Sequence, residues 1–181
     1  MRFQFLWEFI RDNCYSMLLV WLLLFVFCKR AAAGKGEGFR MSRQMYRCFI
    51  GLSFVIYVLI LLYVTIFSRE PFAERHIMLS FLWEYRLALA GSRYWVLQIL
   101  NNIILFVPMG VLYGELSRKR TWWRALLLGA GASAFIEGMQ FVLKAGLCET
   151  DDVFNNTIGM MLGYIFLLFC GKILRYYGFK P

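Results

Sequence analysis

Histidine is almost absent from this chain of 181 residues: His76 is the only one. A single imidazole excludes histidine metal clusters and leaves no serine–histidine pair for nucleophilic catalysis. Cysteine is sparse and scattered. Cys14, Cys28, Cys48, Cys148 and Cys170 show no paired spacing, so neither a zinc site nor a disulfide framework is expected, and they read as apolar packing residues. The glycines of AAAGKGEG, 31–38, lack a Gly-Lys-Ser/Thr and a following strand, which excludes a phosphate-binding loop and leaves a linker. Acidic residues are few, 11 against 20 lysines and arginines, and charge of either sign makes up only 17% of the chain.

Apolar residues fill that gap. They make up 61% of the chain, aromatics make up 19%, and mean hydropathy is +0.60. Soluble domains hold about 45–50% apolar residues, so this composition belongs to a membrane protein. Uncharged runs at 48–68 and 94–114 each supply the roughly 20 residues that cross a ~30 Å hydrocarbon core. Runs at 13–28, 125–143 and 153–171 bring the expected total to five spans, the fourth interrupted by Glu137. The fold expected is all-α, a polytopic transmembrane helix bundle forming one domain over 1–181. Lys29 and Arg30 close the first run in the manner of a membrane stop, so no cleaved leader is expected.

The +9 net charge is distributed by topology and does not point to nucleic acid. With five spans, thirteen cations against Glu37 and Glu115 fall on one side, and seven cations against eight carboxylates fall on the other. Basic loops stay in the cytoplasm, which places the N-terminus outside and the C-terminus inside. The segment 3–10 is aromatic and amphipathic and suits the outer interface. Between the second and third spans, Met78, Leu82, Tyr85 and Leu89 share a helical stripe interrupted by Glu74, Arg75, Glu84 and Arg86, which predicts an external interfacial helix. His76 lies there without a partner for catalysis. Arg69 stands at the outer mouth of the second span, placed to meet an anionic headgroup or the external acids, or to snorkel at a helix end.

Helical spacing then gathers the polar residues. In the third span Asn102 and Phe106 share a face with Met109 or Gly110, Gly110 and Gly114 admit a neighbouring helix, and Pro108 predicts a kink. In the fourth, Gly129, Ser133, Glu137, Gln140 and Lys144 follow one another at steps of three or four. In the fifth, Asp152, Asn156, Gly159 and Gly163 do the same. At a rise of ~1.5 Å per residue, Asn102, Glu137, Gln140, Asp152 and Asn156 all fall in the outer half of the bilayer, as an outward-facing polar cavity requires.

A carboxylate within a span costs roughly 2.5–3.5 kcal/mol, so Glu137 marks either a site or a neutralised packing contact. Three chemical roles are open for it. It could serve as a general base, it could hold a divalent cation together with Asp151 and Asp152 against a phosphorylated lipid, or it could hydrogen-bond a sugar or peptide ligand. No cofactor is otherwise expected.

The motifs NNIILFVPMG (101–110), EGMQ (137–140) and DDVFNNTIGMMLGY (151–164), with YVTIFSR (63–69) before them, resemble the VanZ-like membrane protein family. That resemblance implies a multi-pass plasma-membrane protein of a Gram-positive bacterium, associated with resistance to teicoplanin-type lipoglycopeptides. The family's recurrent polar positions map onto Asn102, Glu137, Gln140, Asp152 and Asn156. The turn 144–152 lacks the arginine that related sequences often carry there. Arg69, Asn102, Glu137, Gln140, Asp151, Asp152 and Asn156 are therefore the candidate ligand-binding residues, and membrane lipids, a lipoglycopeptide or a lipid-linked cell-wall precursor are the expected partners. Two other function classes stay open: an intramembrane enzyme acting on a lipid-linked phosphate or glycan, with Glu137 as base, and a small transporter.

Overall fold

Ser42 caps the first helix of the computed structural model, which describes residues 42–69, 71–117 and 121–176, with side chains to Lys172. Its hydroxyl accepts the Met45 N–H at 3.1 Å, supplying one of the acceptors that a helix start lacks. Helix α1, Arg43–Leu62, runs on as a wider π turn, Tyr63–Phe67, closed by the Ser68 N–H on the Tyr63 carbonyl at 2.9 Å. A strand β1, His76–Met78, and a short helix α2, Trp83–Leu89, follow. Two long helices come next, α3, Arg93–Leu116, and α4, Trp122–Leu143. After strand β2, Leu147–Glu149, helix α5, Thr150–Tyr176, ends the described chain.

The stretches Arg43–Phe67, Arg93–Leu116, Trp122–Leu143 and Thr150–Lys172 are long and apolar enough to cross a membrane. They coincide with the last four expected spans. Each begins one to five residues before its apolar run, because the backbone ladder continues through polar and aromatic end residues that can reach the interface. The run 13–28 and the segment 3–10 lie outside the described residues.

Glycine sets the tightest contact. A Cβ at Gly159 or Gly163 of α5 would overlap the carbonyl oxygens of Ile103 or Val107 on α3, and one at Gly110 of α3 would overlap the Met160 carbonyl on α5. The two backbones therefore lie directly against each other, as small residues allow in lipid, where no hydrophobic force draws helices together. The contact between α3 and α5 is the most extensive among the described elements. Phe106, Met109, Met160 and Tyr164 fill the core around it, with Leu61, Ile66, Ala125 and Ile136 closing the sides. Tyr57 of α1 donates its hydroxyl to the Leu105 carbonyl, the acceptor it needs among apolar neighbours.

The link between α1 and α3 departs from the single interfacial helix that its stripe predicts. Helix is confined to Trp83–Leu89, and Met78 lies in β1 instead. Leu82 stands at φ +60°, in the left-handed region that breaks a helix. Strand β1 pairs in parallel with β2, His76 opposite Leu147 and Met78 opposite Glu149. The Phe72 N–H donates to the Lys144 carbonyl at 2.8 Å and the Lys144 ammonium to the Ala73 carbonyl at 2.9 Å. Backbone groups beside a bilayer need partners, and here the two loops satisfy each other. They consequently fold together over one end of the bundle.

Candidate functional site

Helix α4 brings its polar stripe to that end. Gly129, Ser133, Glu137 and Gln140 are all buried, and the helix stops where Lys144 takes a left-handed conformation, φ +56°. Gln140 Nε2 donates to the Thr65 carbonyl at 2.9 Å, a group lying in the π turn of α1. Its own Oε1 is buried without a hydrogen-bond donor among the described residues. Beside it, Arg69 Nη1 sits so close over Gly146 that a Cβ there would come within 2.7 Å, and the same Cβ would lie 3.6 Å from Gln140 Oε1. Gly146 is the space that admits the guanidinium.

Glu137 is 4% exposed, and its Oε2 accepts the Glu149 backbone N–H at 2.8 Å. The Glu137 and Asp152 carboxyls lie close enough to act on each other, and the Arg69 charge acts on both. Asp152 Oδ1 accepts from Asn102 Nδ2, which ties α5 to α3. Ser133 Oγ takes the Asn156 amide at 2.8 Å and lies 3.5 Å from the Asp152 carbonyl, which ties α5 to α4. Asn102, Glu137, Gln140, Asp152 and Asn156 thus converge at one end of the bundle, with Arg69 at their margin.

Asp151 goes elsewhere. Its two oxygens accept the backbone N–H groups of Leu82, at 2.6 Å, and Glu84, at 3.0 Å. Leu82 has no capping side chain of its own, so Asp151 supplies the acceptors for the start of α2 from 69 residues away. Asn155, one turn later on α5, donates to Glu84 Oε2 at 3.0 Å and accepts from the Tyr85 hydroxyl. The DDVFNN run therefore divides by helical spacing: Asp151 and Asn155 hold α2, while Asp152 and Asn156 face α3 and α4.

Glu84 and Glu149 are site residues that the sequence reading passed over. Glu84 is 0% exposed and Glu149 is 7% exposed. One carboxylate oxygen from each of Glu84, Glu149 and Asp152 lies within 4.8 Å of the other two. Burial pushes Glu84 up to about 7, helped by the charges of Asp152 and Asp151 and opposed by the Asn155 hydrogen bond. Burial also pushes Glu149 up to about 8, with Asp152 and Glu84 adding to it; the adjacent Trp83 indole opposes it without reaching hydrogen-bond geometry. Glu149 could have been noticed as the acid two residues before Asp151. Glu84 gave no such signal, because in WEYR it looks like the solvated side of an interfacial helix.

His76 is exposed and packs edge-on against Phe72, ring centroids 5.6 Å apart. Cys148 has no disulfide partner among the described residues, its thiol pushed up by burial and then by Glu137, Asp152 and Glu149. The arrangement can bind through carboxylate, amide and guanidinium groups, and can hold a cation through oxygen donors.

The VanZ/LLP1 family model matches residues 54–171, which takes in α1 from Phe54, every element named in the site, and α5 to Gly171. No curated protein and no solved structure matches the chain.

Proposed function

The chain belongs to the VanZ/LLP1 family, and from that membership and the geometry above we propose that its polar end is an outward-facing cavity for an amphiphile. The ligand is a teicoplanin-type lipoglycopeptide or a lipid-linked cell-wall precursor, and binding it protects the envelope of a Gram-positive cell. The basic loops lie in the cytoplasm and the loops carrying Arg69 and Gly146 lie outside, as the charge asymmetry requires.

One observation carries this reading. Arg69 is exposed at the mouth of the polar centre, over Gly146, and among the described residues neither Gln140 Oε1 beside it nor Asn156 Oδ1, both buried, has a donor. A guanidinium offers forked donors to a phosphate or carboxylate, and orphaned amide oxygens suit the hydroxyl and N–H groups of a glycan or peptide. Phe67, at the end of the π turn, and Phe72, Leu79 and Phe81, in the link that follows Arg69, are exposed and offer apolar surface to the ligand's tail.

The test is teicoplanin susceptibility of a sensitive Gram-positive host that expresses wild type, Arg69→Gln or Glu137→Gln at matched membrane levels, with lipids profiled by mass spectrometry. Protection by wild type that falls severalfold in both variants, with no new lipid, supports the cavity. Equal protection by all three sinks it. A new lipid that depends on Glu137 replaces it with the intramembrane enzyme acting on a lipid-linked phosphate or glycan.

A further inference from the structure

The three carboxylates Glu84, Glu149 and Asp152 come from three different elements, α2, β2 and the start of α5, and all three are buried. Carboxylates are rarely brought together out of water, because each loses hydration and repels the others. Two of the three also carry an unanswered oxygen. Glu84 Oε1 and Glu149 Oε1 are buried without any hydrogen-bond donor among the described residues. Other groups in the same place are held: Asn155 donates to Glu84 Oε2, Asn102 to Asp152 Oδ1, and the Glu149 backbone N–H to Glu137.

We propose that Glu84, Glu149 and Asp152 form a binding site for a hard divalent cation such as calcium.

The donor set is oxygen alone, which favours calcium, magnesium or manganese over zinc or copper. Coordination geometry decides among them. Three oxygens within 4.8 Å of one another leave a point no more than about 2.8 Å from each, within reach of a ~2.3–2.6 Å calcium–oxygen bond. Calcium also accepts irregular coordination, completed by water or a second carboxylate oxygen, where magnesium requires an octahedron. Asn155, Asn102 and Glu137 are positioning residues here. Each fixes the orientation of one ligand group, as the outer partners of metal ligands commonly do. The site binds an ion whether or not an amphiphile occupies the cavity, so it goes beyond the reading above and is tested without any lipid or antibiotic.

Trp83 gives the experiment its probe, since its indole lies against Glu149. Terbium, a luminescent calcium surrogate, is titrated into the purified full-length protein in detergent with excitation of tryptophan. The expected result is sensitised emission from one site, displaced by calcium at concentrations at least tenfold below those of magnesium. Trp83→Phe should dim the emission severalfold while calorimetric calcium binding persists. Glu84→Gln and Glu149→Gln should each weaken binding by tenfold or more, and in chelator they should melt at or above the wild-type temperature while losing the upward shift that calcium gives wild type. That melting control separates a lost ligand from a lost fold. Wild type that binds neither terbium nor calcium overturns the site, and so does binding that both glutamine variants retain. Either failure leaves the amphiphile cavity standing, because no amphiphile enters the measurement.

Discussion

Glu137 Oε2 and the backbone N–H of Glu149 are joined at 2.8 Å, so a carboxylate inside a spanning helix anchors the loop that follows it. Its position in an apolar span therefore has a structural consequence as well as a chemical one. Glu137→Gln keeps an acceptor for that N–H, whereas Glu137→Ala leaves a buried donor unanswered, at about 1–3 kcal/mol. Thermal melts in detergent should show a clear drop for alanine and a much smaller one for glutamine. Equal losses would mean that charge, and not the hydrogen bond, holds the loop.

The contact between α3 and α5 makes a steric prediction. Gly159→Ala and Gly163→Ala each drive a methyl into a carbonyl oxygen of α3, where backbone must move, so each should destabilise the bundle by about 1–3 kcal/mol. Gly131→Ala is the control, because nothing lies within 4 Å of a Cβ there. It should be neutral or slightly stabilising, since alanine is the better helix former. Unfolding in mixed micelles at rising SDS fraction would rank the three.

Asp151 acts on α2 through two backbone N–H groups. Asp151→Ala should cost about 0.5–2 kcal/mol, the range for loss of a helix cap, and Asp151→Asn less, because one oxygen remains. Hydrogen exchange should place the effect in Leu82–Tyr85, with α3 and α5 little changed. Uniformly faster exchange across the spans would show that Asp151 supports the whole bundle instead.

Burial of Glu84 and Glu149 sets a pH dependence when divalent cations are chelated. Their folded-state values, about 7 and about 8, lie above the ordinary 4.5, so the folded protein holds protons that the unfolded chain releases. Their contribution to stability is complete below pH 4.5 and is lost as pH rises through 7 and 8. Melting temperature in chelator should accordingly fall between about pH 5 and pH 8, and Glu84→Gln with Glu149→Gln should flatten that slope. A slope unchanged in the double variant would assign it to other groups.

Four of the five expected spans could be read from hydropathy because each is a local property: a run of about 20 apolar residues has few other places to go. The inward faces of α4 and α5 were equally legible, since helical spacing alone aligns Ser133, Glu137 and Gln140, and aligns Asp152, Asn156, Gly159 and Gly163. That Asn102, Glu137, Gln140, Asp152 and Asn156 meet at one end of the bundle followed from counting residues along three successive helices of alternating direction. The link 68–92 was not legible in the same way. Its apolar stripe fits a helix, but a pairing partner 71 residues on draws His76–Met78 into a strand.

The sequence by itself determined that the chain is a helical membrane protein, which helix faces turn inward, and where glycine lets backbones touch. Those features depend on composition and on a period of 3.6 residues. Only the tertiary structure decided that Asp151 and Asn155 turn to α2 while Asp152 and Asn156 turn to α3 and α4, and that Glu84 and Glu149 are buried beside Asp152. A carboxylate in a loop reads as solvated until another loop covers it, and the docking of 68–92 onto 144–149 covers these two.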